Sequence, residues 1–203
     1  MMTCGCEPPA IPPADPQYRR VLWIALVLNA LMFGVELAAS FSAQSVSLLA
    51  DAVDFLGDAG NYAVALFVLG LAPVWRSHTA LWKGWLMLGY GVFVLAKSGW
   101  QWSTGVVPEP ITMGAVSLLA LAVNVGVAAL LYRHRGGDAQ RRSVWLCSRN
   151  DALGNLAVMA AAVGVWSTAH GWPDIAVALV LAGLALSSGV SVIKQARREL
   201  RAD

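Results

Sequence analysis

Six stretches of about 20 mainly apolar residues follow one another along this chain: Val21–Ser40, Val46–Ala72, Ala80–Ser98, Ile111–Tyr132, Val144–Thr168 and Ile175–Ile193. Each is long enough to cross a bilayer as a helix, the open-ended structure that satisfies its own backbone groups in hydrocarbon. Six of them leave little chain for anything else. The predicted fold is therefore an all-α membrane protein of six transmembrane helices over residues 20–195, with a disordered cytosolic tail over 1–19 and a short cytosolic tail over 196–203. With 58% hydrophobic and 13% charged residues, the composition belongs to a polytopic membrane protein. The proline-rich start, Pro8 to Pro16, lacks a basic segment followed by an apolar run and reads as a flexible tail and not a signal peptide.

Basic residues set the orientation. With the N-terminus in the cytosol, one side collects Arg19, Arg20, Arg76, Arg133, Arg135, Arg141, Arg142, Lys194, Arg197, Arg198 and Arg201, while the opposite loops, near Phe41–Ser45, Gly99–Pro110 and Ala169–Asp174, contain no Lys or Arg. That asymmetry predicts cytosolic termini. Lys83 and Lys97, near opposite ends of the third stretch, read as snorkelling side chains. The tryptophans fall near the span ends as an aromatic belt. The net charge of +2 is thus topological, and no basic patch interleaved with aromatics suggests nucleic acid.

Asp51, Asp54 and Asp58 lie inside the second stretch and Asp151 inside the fifth. Each costs about 2.5–3.5 kcal/mol to insert ionised, so such carboxylates are functional suspects that need a cation, protons or water. Asp54 and Asp58, four residues apart, share one helix face about 6 Å apart along the axis. Asp151 has Cys147 four residues before it and Asn155 four after. The second stretch enters from outside and the fifth from inside, which brings Asp58 roughly 18 Å below one surface and Asp151 roughly 11 Å above the other. In a core about 30 Å thick these depths nearly coincide. Asp54, Asp58, Cys147 and Asp151 could then form one four-ligand site near the midplane, suited to a borderline divalent ion such as Zn²⁺. Cys147 reads equally as a small buried hydrophobe.

A weak internal echo aligns Asn29 with Asn124 and Asp58–Asn61 with Asp151–Asn155. A three-plus-three repeat with odd halves must be inverted, a pattern of transporters with a site at the repeat interface, although chance similarity between apolar segments explains so short an echo equally well. Asp51 and Glu36 read as helix-start, path or structural residues toward the outer surface, and Asn155 as an accessory to the site or interhelical glue. Cys4 and Cys6 form a bare C-x-C that is either a weak metal-capture motif or unstructured tail.

The run Ser45-Val46-Ser47-Leu48-Leu49-Ala50-Asp51-Ala52-Val53-Asp54-Phe55-Leu56-Gly57-Asp58 resembles the second-helix signature S-x-[AS]-L-L-x-D-A-x-[HD]-x-x-x-D of the cation diffusion facilitator, or cation efflux, family of divalent-metal exporters. Cys147-Ser148-Arg149-Asn150-Asp151 occupies the place of that family's second H/D-x-x-x-D pair, with Cys147 where His is usual. The resemblance, over roughly residues 20–195, implies that Asp54, Asp58 and Asp151 bind the transported ion. It also implies export from the cytosol in exchange for protons, six spans with cytosolic termini, and a homodimer. It is to a short form, since few residues follow the sixth stretch and the family's usual C-terminal cytosolic domain is not expected.

Protons compete with metal for carboxylate oxygens, so an inward proton gradient would drive export. The expected function is divalent metal efflux by proton antiport and alternating access: Zn²⁺ first, with Cd²⁺, Co²⁺ or another transition metal as alternatives. The metal is substrate and not a resident cofactor, and the setting is the cell membrane, as in a bacterial inner membrane. Two rivals stand beside this reading. One is a non-transporting metal sensor or accessory membrane protein. The other is an intramembrane aspartyl protease, since two carboxyls on different spans are also acid–base chemistry and Leu56-Gly57-Asp58 resembles part of its G-x-G-D motif; the flanking residues such an enzyme needs are missing, and no enzymatic activity is expected.

Overall fold

Five of the apolar stretches lie within a helix, and the described part of the second, residues 46–68, is helical. The computed structural model describes residues 16–68, 73–132 and 139–202, with side chains for 16–66, 77–132 and 151–201. Its helices are α1 (Pro16–Ser42), α2 (Val46–Ala63), α3 (Pro73–Thr104), α4 (Pro110–Tyr132), α5 (Ala139–Thr168) and α6 (Trp172–Ala202). A π-helical turn, Val64–Val68, continues α2. No strand occurs among the described residues. Several helices outrun their apolar segments at the basic end: α1 begins at Pro16, tolerated in a first turn where no amide partner is needed, and α6 continues to Ala202. Residues 16–19 and 196–202, expected as tail, are thus helical.

The connections α1–α2, α3–α4 and α5–α6 gather at one end, which we call the short-loop end. Gln44, Gly105 and Ala169, just beyond the ends of α1, α3 and α5, adopt positive φ of 54°, 67° and 54°, the left-handed step that commonly ends a helix. The Glu109 amide donates to the Ala43 carbonyl at 2.9 Å, tying two of the loops together. Gly171 sits so close to the Val106 carbonyl that a Cβ there would come within 2.6 Å. Glu109 caps α4, accepting from the Ile111 and Thr112 amides at 2.9 and 2.6 Å, and bonds from Thr112 hold its carboxyl below the usual range.

Among the described residues four helices, Pro16–Ser42, Ser77–Thr104, Pro110–Tyr132 and Trp172–Arg201, are long and apolar enough to cross a membrane. The other two, α2 and α5, carry Asp51, Asp54, Asp58 and Asp151. Large apolar side chains cover the outside, among them Leu31, Ile111, Val163 and Trp166, as expected where the surrounding solvent is lipid.

Between helices in lipid, close packing supplies the attraction that the hydrophobic effect gives in water. The pairs α3–α6, α4–α5 and α1–α2 are the most extensive, and α2 also touches α3, α5 and α6. On α3 and α6 the approach is made by glycine: a Cβ on Gly84 would lie 2.5 Å from Ile193 Cγ1 and 3.1 Å from the Gly189 carbonyl. Near the basic end, Ser77 donates to Glu199 at 2.8 Å and Arg197 lies 5.8 Å from the Trp85 ring centre. On α1 the buried residues Tyr18, Leu22, Ala25, Asn29, Met32 and Glu36 coincide, position for position at an offset of 95, with Met113, Ser117, Ala120, Asn124, Val127 and Leu131 of α4. The echo between Asn29 and Asn124 extends along the buried faces of both helices.

This glycine contact predicts that Gly84→Ala lowers detergent stability by about 1–3 kcal/mol through overpacking. Gly89→Ala, with open space around its Cβ, leaves it unchanged or raised; thermal unfolding of the two purified variants separates the outcomes.

Candidate metal site

The site is assembled from the way α2 begins. Ser45 is its N-cap, accepting from the Leu48 amide at 3.1 Å. Asp174, fully buried in the first turn of α6, then takes donors that an isolated helix would leave unpaired. Its carboxylate accepts from the Ser45 hydroxyl at 2.7 Å, the Val46 amide at 2.9 Å, the Ser47 amide at 3.0 Å and the Gln101 side chain at 3.0 Å. A negative charge at a helix N-terminus is doubly favourable, meeting free amides and the positive end of the dipole. The start of α2 is thereby tied to α6 and α3, which fixes the height of every carboxylate further along it.

Asp51 follows two turns in and is almost completely buried. The Asn155 amide of α5 donates to its Oδ2 at 2.7 Å, and Asn124 of α4 donates to Asn155 Oδ1 at 2.9 Å. This chain of three side chains joins α2, α5 and α4 where the interior offers no water. Its cost is smallest when every member is satisfied. Asp51 is therefore an internal acceptor, and not the helix-start residue the sequence suggested; that place belongs to Ser45. On its other side lies the fully buried Glu36 of α1, its carboxyl within hydrogen-bonding reach of Asp51.

Asp54, Asp58 and Asp151 are half-buried. Asp58 and Asp151 come within hydrogen-bonding reach of one another across the α2–α5 contact, with Asp54 in electrostatic range of both. The sequence expectation that Asp58 and Asp151 lie near one another agrees with this approach. Three acidic groups so near one another need positive charge, and Lys83 of α3 supplies part of it. Its ammonium donates to the Asn61 side-chain oxygen and acts on Asp58, Asp151 and Asp54. Lys83 is not a snorkelling residue near a helix end, because α3 starts at Pro73 and carries it ten residues in. Among the described residues no three His, Cys, Asp or Glu side chains close into a ready cage. Cys147 lies on the helical backbone of α5, but its side chain is outside the described residues, as are Cys4 and Cys6.

Two residues of this neighbourhood that sequence reasoning does not find are Asp174 and Lys83. Asp174 looked like a loop residue, and its partners lie up to 129 positions away; the signal was Ser45 opening a helix with free amides. Lys83 gave no local signal, because an apolar window starting at Ala80 placed it near a span end, whereas α3 begins at Pro73.

The sequence profile of the cation efflux transmembrane domain matches residues 22–201. The chain belongs to the cation efflux family. Members of this family are transporters of the membrane, and this cation efflux protein is a multi-pass cell-membrane protein. It is 27% identical over 194 residues to the cadmium, cobalt and zinc/H(+)-K(+) antiporter of Bacillus velezensis, covering 87% of this chain and 61% of the relative. The protein of the same name from Bacillus subtilis is 26% identical over the same lengths. The metal cation efflux system protein CzcD of Cupriavidus metallidurans is 26% identical over 174 residues, covering 80% of this chain and 55% of the relative. The cation efflux chain thus spans about 60% of the length of the curated relatives it matches.

Removing the Asp174 carboxylate strands buried donors, each costing about 1–3 kcal/mol. Asp174→Ala is expected to destabilise the protein by at least about 3 kcal/mol, with the accessibility of a cysteine introduced at Ser47 rising in the folded fraction. Unchanged melting and labelling would show that α2 holds its position without this carboxylate.

Proposed function

We propose that this protein exports divalent transition-metal ions, Zn²⁺ first among them and Cd²⁺ or Co²⁺ as alternatives, in exchange for protons. The observation that carries the reading is the approach of Asp58 on α2 to Asp151 on α5, with Asp54 beside them, in a chain of the cation efflux family. The printed names of the relatives, which pair cadmium, cobalt and zinc with protons, support the same reading. In this proposal all six helices span the membrane with both termini in the cytosol, the two three-helix halves form an inverted repeat, and the protein works as a homodimer. Asp54, Asp58 and Asp151 are the ligands, and Cys147, one turn before Asp151, is a fourth that would favour borderline and soft ions. Residues Cys4 and Cys6 would collect metal at the cytosolic face.

The chemistry follows from competition. Metal bound to the carboxylates displaces protons; opening to the acidic side returns them and lowers metal affinity. Lys83 holds the empty site together by answering part of its charge and must yield when an ion arrives. The half-buried state of Asp54, Asp58 and Asp151, against the sealed layer of Asp51, Glu36, Ser45 and Asp174, supports a conformation closed at the short-loop end. Alternating access then requires that layer to part while the opposite side closes.

Uptake of Zn²⁺, Cd²⁺ and Co²⁺ into inverted vesicles tests the reading. Asp58→Ala and Asp151→Ala are expected to lower uptake at least about tenfold, equivalent to about 1.4 kcal/mol, while the protein elutes unchanged. Cys147→His is expected to shift preference toward Zn²⁺ over Cd²⁺. Full transport by either Asp variant would overturn the ligand assignment, and an unchanged preference in the His variant would remove Cys147 from it.

A further inference from the structure

A second group of buried oxygens lies one turn nearer the short-loop end than Asp54 and holds no ion in the steps above. Glu36 is completely buried, and neither of its carboxyl oxygens accepts from an amide or hydroxyl donor; the group within hydrogen-bonding reach is another carboxyl, that of Asp51. Such a group is costly, because an interior of low dielectric neither hydrates the charge nor replaces its lost hydrogen bonds. Its immediate neighbour across α1 and α2 is Asp51, whose Oδ2 already accepts from Asn155. From α3 comes Tyr90, its hydroxyl buried and without a hydrogen-bond partner, within electrostatic range of Glu36.

The surrounding elements do not supply the missing positive charge. Lys83 acts on Asp58, Asp151 and Asp54, Asp54 adds a further negative charge near Glu36, and the amides of Asn155 and Asn124 are already engaged in their own chain. Two facing carboxylates carry a combined charge of about −2, which a single divalent ion neutralises. Carboxylate and hydroxyl oxygens without sulfur or nitrogen make a hard donor set. It differs in chemistry from a site that includes a cysteine.

We propose that Glu36 and Asp51, with the Tyr90 hydroxyl as a neutral oxygen, form a second divalent-cation station between the Asp54/Asp58/Asp151 group and the short-loop end. Binding here is independent of whether the protein transports; its use as a station on the way out rests on the function proposed above. The two groups lie along α2 at a spacing of one turn, about 5 Å along the axis. An ion entering the second station is repelled by one still in the first, so the two are filled in sequence or with weakened affinity.

Purified protein in detergent, titrated with Co²⁺ under equilibrium dialysis, measures the stations directly, and the visible absorption of Co²⁺ reports the donor set of each. Four proteins, each carrying Cys4→Ser/Cys6→Ser so that the tail adds no ion, are compared: the otherwise wild-type chain, Glu36→Gln, the triple variant Asp54→Asn/Asp58→Asn/Asp151→Asn, and the triple variant carrying Glu36→Gln as well. The proposal expects about two Co²⁺ per chain in the wild type, about one in each of the first two variants, and none in the last. Glu36→Gln keeps the shape of the side chain, and a single symmetric elution peak confirms folding; Tyr90→Phe, expected to weaken the second station several-fold, gives a milder probe where Gln disturbs packing. One Co²⁺ in the wild type and none in the triple variant overturns the proposal while leaving the transport reading intact. Equal stoichiometry in wild type and Glu36→Gln, with only the pH dependence of binding altered, also overturns it and makes the pair a proton site. Transport activity in the triple variant would count against the proposed function and leave the second station standing.

Discussion

The hydrogen-bonded chain from Asn124 through Asn155 to Asp51 is the interaction on which the rest of this bundle depends. A carboxylate within apolar helices must be answered by donors from elsewhere, and here they come from α5 and α4. Meeting that need fixes the rotation of α5 against α2, because Asn155 can reach Asp51 from one face alone. The same face carries Asp151 one turn earlier, so the bond that satisfies Asp51 also delivers Asp151 to Asp58. What looks like structural glue is therefore what sets the geometry of the candidate metal site. Gly154, next to Asn155, leaves ordinary contact distance for the Asp51 carboxylate, with a Cβ there lying 3.7 Å from Oδ1.

Asp174 complements this from the short-loop end. The asparagine chain fixes rotation, while the bonds from Ser45, Val46 and Ser47 to Asp174 fix the height of α2. Beyond that anchor lies a core of small and branched residues, including Ala39, Ala43, Leu48, Leu49, Val165 and Ile175, which seals the short-loop end. At its other end α2 passes into a π-helical turn, a local irregularity of the kind often found at functional sites. The helix is thus firmly held where it begins and irregular where it ends, an asymmetry suited to a site that exchanges sides.

Much of this was legible in the sequence because membranes impose simple lengths and periods. Apolar runs located the helices, and the four-residue spacing of Asp54 and Asp58 with the opposite direction of α5 brought Asp151 to their depth. The aspartate signature of α2 was enough to indicate the family. The illegible parts are those whose partners are remote or whose helices extend past their apolar window. No local pattern connects Asp174 to amides at the start of α2, and Lys83 seemed terminal because aromatic and basic residues of α3 precede the apolar run. Asp51 is hard to place from sequence for a related reason: its partner Asn155 stands four residues after Asp151 on α5, and the division of that helix face between the candidate metal site and a structural bond emerges only from packing.

Whether the carboxylates between α2 and α5 exchange a divalent metal for protons can be measured by following both ions at once in proteoliposomes. With Zn²⁺ added outside and a pH-sensitive dye trapped within, Zn²⁺ entry is expected to alkalinise the lumen, as protons leave in exchange, and both signals are expected to vanish together in Asp58→Asn. Zn²⁺ entry without a lumenal pH change in fully buffered-potential conditions, or coupled exchange that survives in Asp58→Asn, would contradict that role of the carboxylates.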